Sequence, residues 1–294
     1  MDTHRQFDGS DLMTSNWLLE TVPCPFCGST RYQPWAEEIG FQAVRCSDCG
    51  LIYCNPRPSE ATINSAVRTG THSEEAQGLD VAARRIGRKV RYYRRVFASL
   101  FEDVWVRGRP LSWLDVGAGY GEVLEAVAGL APPGSRIEGL EPMKRKAEKA
   151  RERGLTITES YLKPDHPKVD VISVVDVFSH MPSFSTFLAD VRSVLNPGGE
   201  VFVETGNLAD LDRRHEYPGG LGLPDHLVFA GEKHLLGYLG QAGFEVVCVE
   251  RRRIDGVVNL AKNAVKKLIG RPAAIGVPYT SKYRSLQVRA RLKS

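Results

Sequence analysis

The chain has 294 residues, of which 42% are hydrophobic and 25% charged, as in an ordinary globular protein with a sizeable core. Its formal net charge of +4, from 39 basic and 35 acidic residues, is too small to indicate a nucleic-acid-binding protein. No apolar run approaches the roughly 20 residues of a membrane-spanning helix, and the first residues lack the pattern of a secretion signal. We therefore expect a cytoplasmic protein without a membrane span.

Two C-x-x-C-G units stand in the first sixty residues, and eighteen residues separate Cys27 from Cys46. This spacing is typical of zinc sites with four cysteine ligands, here Cys24, Cys27, Cys46 and Cys49. Since four protein ligands leave no open position, the ion would be structural. The alternative is a pair of disulfides or four unrelated thiols. The glycine after each second cysteine predicts a positive-φ turn.

Two short strands and one long helix are predicted before residue 108. Residues 31–44 predict two short strands, and apolar residues at helical spacing predict a helix over residues 80–106. The opposite face of that helix is basic from Arg84 to Arg95, which suits either a phosphate-bearing substrate or a solvated surface. The chain as a whole divides into four predicted parts, which are an N-terminal arm (1–20), a zinc-ribbon module here called the cysteine module (21–58), a helical connector or lid (59–107) and a larger domain (108–294).

Short apolar runs alternate with helical stretches from residue 111 onward. This alternation predicts an α/β fold whose parallel strands are joined by helices on both faces of the sheet. Residues 285–292 alternate with period two and predict an antiparallel last strand. The fold class is therefore a Rossmann-like, mostly parallel sheet, with an insertion over residues 253–283. A long loop over residues 206–230 is predicted to be a substrate loop.

A glycine-rich turn follows the first strand of this domain in the sequence WLDVGAGYGE. Its order, Asp-x-Gly-x-Gly-x-Gly, differs from the G-x-G-x-x-G of dinucleotide sites. Ligands of parallel sheets bind beyond the carboxyl ends of the strands. Glu141 ends the next strand, where its two oxygens can accept both hydroxyls of a ribose. Taken singly, Asp115 and Glu141 are also compatible with capping roles.

These residues resemble the first motif and the ribose acid of class I S-adenosylmethionine (SAM)-dependent methyltransferases. The run from Asp176 to His180 matches their fourth strand end, and residues 195–199 match the loop before their fifth strand. The resemblance implies SAM as cofactor, with Asp115 and the glycine loop holding its methionine part and Ser160 near its adenine. The implied cofactor residues are Asp115, Gly117, Ala118, Gly119, Gly121, Glu141, Ser160 and Asp176.

With its cysteine units included, the chain looks like a zinc-containing subgroup that modifies sugars and other small molecules. That subgroup includes C-methyltransferases of nucleotide-linked keto sugars, which use a Tyr-His-Glu-His run in proton removal. Here the matching residues 223–226 are Leu-Pro-Asp-His, so only the final His matches. His226 is the candidate base, oriented by Asp225, and His180 and Tyr217 are reserves.

The predicted function is a SAM-dependent methyltransferase acting on a small molecule, on a hydroxyl of a sugar, glycoside or related intermediate. Carbon methylation of a nucleotide-linked keto sugar is the alternative. An RNA methyltransferase is disfavoured by the small net charge and by the run Asp176 to His180, which lacks an Asn/Asp-Pro-Pro-aromatic sequence. A non-enzymatic adaptor is disfavoured by the intact glycine loop. The sequence predicts no oligomeric state.

Overall fold

The computed structural model describes residues 18–69, 86–217, 219–253, 261, 264–265, 268–270 and 282–293. Three predicted features lie wholly or largely outside these residues: most of the N-terminal arm, Arg84 at the start of the basic face, and most of the insertion over residues 253–283. Within the described part of the chain, no helix is both long enough and apolar enough to cross a membrane.

The cysteine module is built on antiparallel strands. Its two longer strands lie where residues 31–44 predicted strands, and Tyr32 stands opposite Cys46 in their register. A short strand from far along the chain, β11 (Val228–Phe229), pairs with the outer edge of this sheet. The strands of the module are β1 (Leu19–Glu20), β2 (Tyr32–Glu38), β3 (Phe41–Cys46), β4 (Ile52–Cys54) and β5 (Arg57–Pro58).

In the described residues 59–69 and 86–107, three helices connect this module to the larger domain: α1 (Glu60–Thr69), α2 (Val90–Leu100) and α3 (Glu102–Val106). Of the helix predicted over residues 80–106, residues 80–85 lie outside the described part of the chain and residues 86–89 form turns instead. The remainder is divided at Phe101, whose φ of −121° and ψ of 24° are not helical. The Phe101 ring is fully buried, with its centroid 5.0 Å from that of Trp113. Tertiary packing of an aromatic ring therefore overrides the helical periodicity at this position.

A seven-stranded sheet forms the centre of the larger domain, in the order β12-β13-β10-β9-β6-β7-β8. The strands from β10 to β8 are parallel, and β13 runs antiparallel to both of its neighbours. This arrangement confirms the predicted fold class. The strands are β6 (Ser112–Val116), β7 (Arg136–Leu140), β8 (Ile157–Thr158), β9 (Val169–Val175), β10 (Leu195–Gly206), β12 (Phe244–Arg252) and β13 (Ser285–Leu292).

Helices cover both faces of this sheet, as the alternating sequence predicts. An aromatic cluster beneath α2 includes the fully buried rings of Phe97, Trp113 and Phe202. On the other face, one continuous core joins the sheet to the cysteine module and contains both Tyr53 and Tyr238. Between residues 108 and 253 of the domain, the described α-helices are α4 (Glu122–Ala128), α5 (Lys144–Glu152), α6 (Phe184–Val194) and α7 (Glu232–Gln241).

Candidate cofactor cleft and histidine pair

The glycine loop, residues 117–121, leads from β6 into α4, and its three glycines all have positive φ. A Cβ on Gly117 would lie 2.3 Å from Cγ2 of Val177, so this position accepts no side chain. A Cβ on Gly119 would meet nothing within 4 Å, and its φ of +55° is one that glycine adopts most readily. The loop therefore packs tightly on one side and presents bare backbone to open space on the other.

That open space is a cleft of about 520 Å³, a size typical of small-molecule sites. Its walls combine the glycine loop with charged residues of both signs from the turn before α2, from α4 and α5, and from the strand ends. Such mixed charge suits a ligand that itself carries both signs. The charged lining residues are Arg88, Lys89, Asp115, Glu122, Lys146 and Asp176.

Asp115 is the most deeply buried acid of the cleft, at 2% exposure. The Ser173 hydroxyl donates to its Oδ1 at 2.6 Å and accepts from Trp113 Nε1 at 2.9 Å. Burial raises the pKa of Asp115 to about 7, and the Ser173 hydrogen bond offsets only part of this effect. Among the described residues, no cation compensates this carboxylate, and a bound cationic group can supply that charge.

Glu141 supports the glycine loop from the end of β7. Its Oε2 accepts from the Gly119 amide at 2.7 Å, and its Oε1 accepts from the Met143 amide at 2.9 Å. Glu141 is not among the residues that line the cleft, so its connection to the cleft runs through Gly119. Each carboxylate oxygen retains a lone pair after these contacts, so both can still accept the hydrogen bonds predicted from the ribose hydroxyls.

Asp176 ends β9 at the mouth of the cleft with a φ of +57°. Lys89, at the start of α2, places its Nζ 3.0 Å from Asp176 Oδ2, so part of the predicted basic face meets an acid at the cleft. Burial works to lower the pKa of Lys89, but Asp176 outweighs it and raises that pKa. Burial, with the charge of Asp176 as the second cause, raises the pKa of Glu204 to about 7. Gln287 donates a hydrogen bond to the Glu204 carboxylate.

His180, Asp225 and His226, here called the His-Asp-His group, lie together although Asp225 follows His180 by 45 positions in the sequence. The two imidazole centroids are 4.6 Å apart and nearly perpendicular. His180 Nδ1 lies 2.9 Å from the Asp225 carbonyl oxygen and 3.4 Å from Asp225 Oδ1. Their potential metal-binding atoms lie within 4.8 Å of one another, so the group has two possible chemistries, proton transfer and metal binding.

The two imidazoles have pKa values displaced in opposite directions. Burial lowers the pKa of His226, and the neighbouring His180 lowers it further. Burial would also lower the pKa of His180, but its contacts with Asp225 prevail and raise it. Two neighbouring groups whose pKa values are displaced in opposite directions suit acid and base roles, and His226 is the neutral partner. Asp176 and Lys146 both act on this pair electrostatically, which connects it with the cleft.

Two predicted site residues lie apart from these groups. The Tyr217 ring packs 4.8 Å from that of Tyr283, in an apolar cluster that includes Trp35. Ser160 donates its hydroxyl to the Tyr161 carbonyl at 2.7 Å and is not a lining residue of the cleft. Sequence reasoning missed Ser173, because one serine within an apolar strand gives no distinctive signal.

The four cysteines of the two C-x-x-C-G units meet at one point. The Sγ atoms of Cys24 and Cys49 are 3.5 Å apart, and those of Cys27 and Cys46 are 3.6 Å apart. A tetrahedral zinc ion with Zn–S bonds of 2.3 Å requires sulfur atoms about 3.8 Å apart. All four are free thiols within 4.8 Å of one another, so the donor set fits such an ion without disulfides. The glycines after both units have positive φ, as predicted.

A family model described as a methyltransferase domain matches residues 84–249, more than half of the chain. The chain belongs to this methyltransferase-domain family. That membership confirms the predicted enzyme class. The ubiquinone biosynthesis O-methyltransferase of Proteus mirabilis (strain HI4320) is 30% identical over an alignment of 104 positions, and the match covers 32% of this chain. The match spans 41% of that relative's length.

Solved structures of methyltransferases resemble the chain at low sequence identity. A proposed sarcosine dimethylglycine methyltransferase from Galdieria sulphuraria matches with a TM-score of 0.53 and 18% identity, over 68% of this chain and 85% of that one. The magnesium protoporphyrin IX methyltransferase of Synechocystis PCC 6803, solved with bound SAM, matches with a TM-score of 0.45 and 14% identity, over 80% and 92%. The Galdieria likeness supports the fold alone.

Proposed function

We propose that the protein is a SAM-dependent methyltransferase that acts on a hydroxyl of a sugar, a glycoside or a related small molecule. The observation that carries this proposal is the cleft above the glycine loop, where bare backbone at Gly119 meets charged groups of both signs. Membership of the methyltransferase-domain family supports the same chemistry.

The residues of the cleft fit SAM by their chemistry. Asp115 is a buried carboxylate with no compensating cation in the described part of the chain, and SAM carries both an ammonium and a sulfonium group. Asp115, the glycine loop and Asp176 would hold the methionine part, while Glu141 would hold the loop and the ribose. Bound SAM supplies a methyl group that is already electrophilic, so the protein mainly has to position the acceptor and move a proton.

His226 is the proposed general base. Its lowered pKa keeps the imidazole neutral at neutral pH, so Nε2 can accept the proton that the acceptor hydroxyl loses. SAM held by Asp115 and the glycine loop would supply the methyl group to the acceptor oxygen, and its sulfur would keep the electron pair of the broken carbon–sulfur bond. His180, whose pKa Asp225 raises, would carry positive charge beside the same acceptor, because its ring lies next to that of His226.

Carbon methylation of a keto sugar is the second candidate, and the paired imidazoles favour it. A base beside a cationic imidazole can remove a carbon-bound proton and stabilise the resulting enolate. Against it, Leu223 stands where the subgroup has tyrosine. The partial match to an O-methyltransferase of ubiquinone biosynthesis favours oxygen and adds phenolic hydroxyls to the acceptors worth testing.

A methyl-transfer assay decides between these acceptors. SAM with a labelled methyl group is offered with nucleotide sugars, glycosides and phenols, and NMR locates the methyl in the product. We expect an O-methyl product and a large loss of turnover in His226→Ala with SAM binding intact. Label found on carbon would favour the second candidate, and turnover unchanged in His226→Ala would remove that residue from the mechanism.

A further inference from the structure

We propose that Glu38, in the cysteine module, is a positioning residue that fixes the orientation and tautomer of His226. The inference rests on the proposed role of His226 as base, and it assigns to the module a part in the reaction beyond folding. Glu38 is the last residue of β2, and its carboxylate reaches the predicted substrate loop 183 residues later.

The Glu38 carboxylate accepts two successive backbone amides of the loop. Its Oε2 accepts from the Leu221 amide at 2.6 Å, and its Oε1 accepts from the Gly222 amide at 2.7 Å. Hydrogen bonds to an ionised acceptor are stronger than those between neutral groups. One side chain of the module therefore holds the main chain at both residues.

The same two residues bind His226 through their carbonyl groups. His226 Nδ1 lies 2.7 Å from the Leu221 carbonyl oxygen, and the His226 amide donates to the Gly222 carbonyl at 2.9 Å. Because a carbonyl oxygen can only accept, neutral His226 must carry its proton on Nδ1, which leaves Nε2 as the basic atom. Holding residues 221 and 222 thus selects the tautomer that the mechanism needs.

The module also holds the chain on the other side of His226. The Cys54 amide donates to the Leu227 carbonyl at 2.8 Å, and the Leu227 amide donates to the Ser179 carbonyl at 2.6 Å. Leu227 follows His226 and Ser179 precedes His180, so these two bonds bring the imidazoles side by side. His226 is therefore fixed from both directions by the cysteine module.

The test measures the loop and the imidazole directly in the full-length, metal-loaded protein. Glu38→Gln retains the size of the side chain but offers one acceptor oxygen and turns an NH₂ group toward an amide donor. Glu38→Ala removes both acceptors. Glu37→Gln, at the exposed neighbouring position, is the matched control.

Hydrogen exchange followed by mass spectrometry should show the amides of residues 221–223 and 225–227 exchanging about tenfold faster or more in both Glu38 variants and unchanged in Glu37→Gln. The ¹⁵N shifts of the His226 ring should report the Nδ1–H tautomer in the wild type and a tautomer mixture in Glu38→Gln. Unchanged exchange and an unchanged tautomer in Glu38→Gln would overturn the proposal. If Glu38→Ala loses protection from hydrogen exchange throughout the chain, the results for Glu38→Gln alone decide whether the proposal stands.

Turnover adds a separate comparison once an acceptor is known. Glu38→Gln should lower kcat and alter its pH profile while the affinity for SAM stays at the wild-type value. A protein that neither binds SAM nor transfers methyl would refute the proposed function, whereas the exchange and tautomer measurements would still test the contact between Glu38 and the loop.

Discussion

Replacing Asp115 by asparagine should stabilise the unliganded fold at high pH while it weakens binding of SAM. Burial raises the pKa of Asp115 from 3.8 to about 7, which corresponds to about 4 kcal/mol against the ionised fold as an upper limit. A pKa raised in the fold makes stability fall as the pH rises from about 4 to about 7, with the full cost present above that range. Asparagine has the same shape, keeps an acceptor for Ser173 and carries no charge.

Urea unfolding of both proteins without ligand, at pH 5 and pH 8, measures this effect. Asp115→Asn should exceed the wild type by about 1–4 kcal/mol at pH 8, and most of that gain should disappear at pH 5. Calorimetry should show weaker SAM binding by the variant. An unfolding free energy below that of the wild type at pH 8 would refute the reasoning, as would a gain that does not depend on pH.

Asp170 provides the matched control for that experiment. Burial tends to raise its pKa, but hydrogen bonds from Ser112 and Asn196 prevail and lower it. Its charge therefore stabilises the fold above its ordinary pKa, and Asp170→Asn should lower the unfolding free energy at both pH values. The two substitutions change the same functional group and should act in opposite directions.

Three further predictions concern the His-Asp-His group, the cysteines and the antiparallel edge of the sheet. Burial, and after it the charge of His180, lower the pKa of His226. The midpoint of the rising limb of kcat/KM against pH should therefore lie below the ordinary histidine pKa of about 6.5. A midpoint above about 6.5 would contradict the role of His226 as the base. Mass spectrometry of the native protein should find one zinc per chain, lost in Cys27→Ser; a second metal would instead make the His-Asp-His group a metal site. Arg289→Ala should lower the unfolding free energy by about 3–5 kcal/mol, because the nearly buried guanidinium lies 2.6 Å from the buried Glu200 carboxylate. Arg291 is half-exposed, so Arg291→Ala should lower the unfolding free energy much less. Equal losses of unfolding free energy in the two variants would refute this distinction.

The sequence predicted the features that depend on local spacing. The sheet strands, the positive-φ turns after Cys27 and Cys49, and the glycine loop each follow from residues within a few positions of one another. The division at Phe101 was not predictable in this way, because it results from burial of the ring against Trp113 in another element. Helical periodicity carries no information about such a contact.

Contacts between distant parts of the chain also escaped prediction. Lys89 was one of many cations on a predicted helix face, and nothing nearby indicated its pairing with Asp176. The strand β11 is two residues long, too short for any periodic signal, yet it pairs with β4 across the chain. His226 was found only through the resemblance to a family, while Glu38 had no signal at all.

Calorimetric titration with SAM tests the central claim most directly, with Gly119→Asn and Gly154→Asn as the paired variants. Both glycines have positive φ, which asparagine tolerates better than most residues, and a Cβ on either meets nothing within 4 Å. Only Gly119 lines the cleft. The wild type and Gly154→Asn should bind SAM with equal affinity, and Gly119→Asn should bind at least about tenfold more weakly because its side chain enters the cleft. Absence of binding by the wild type, or equal binding by Gly119→Asn, would contradict the account.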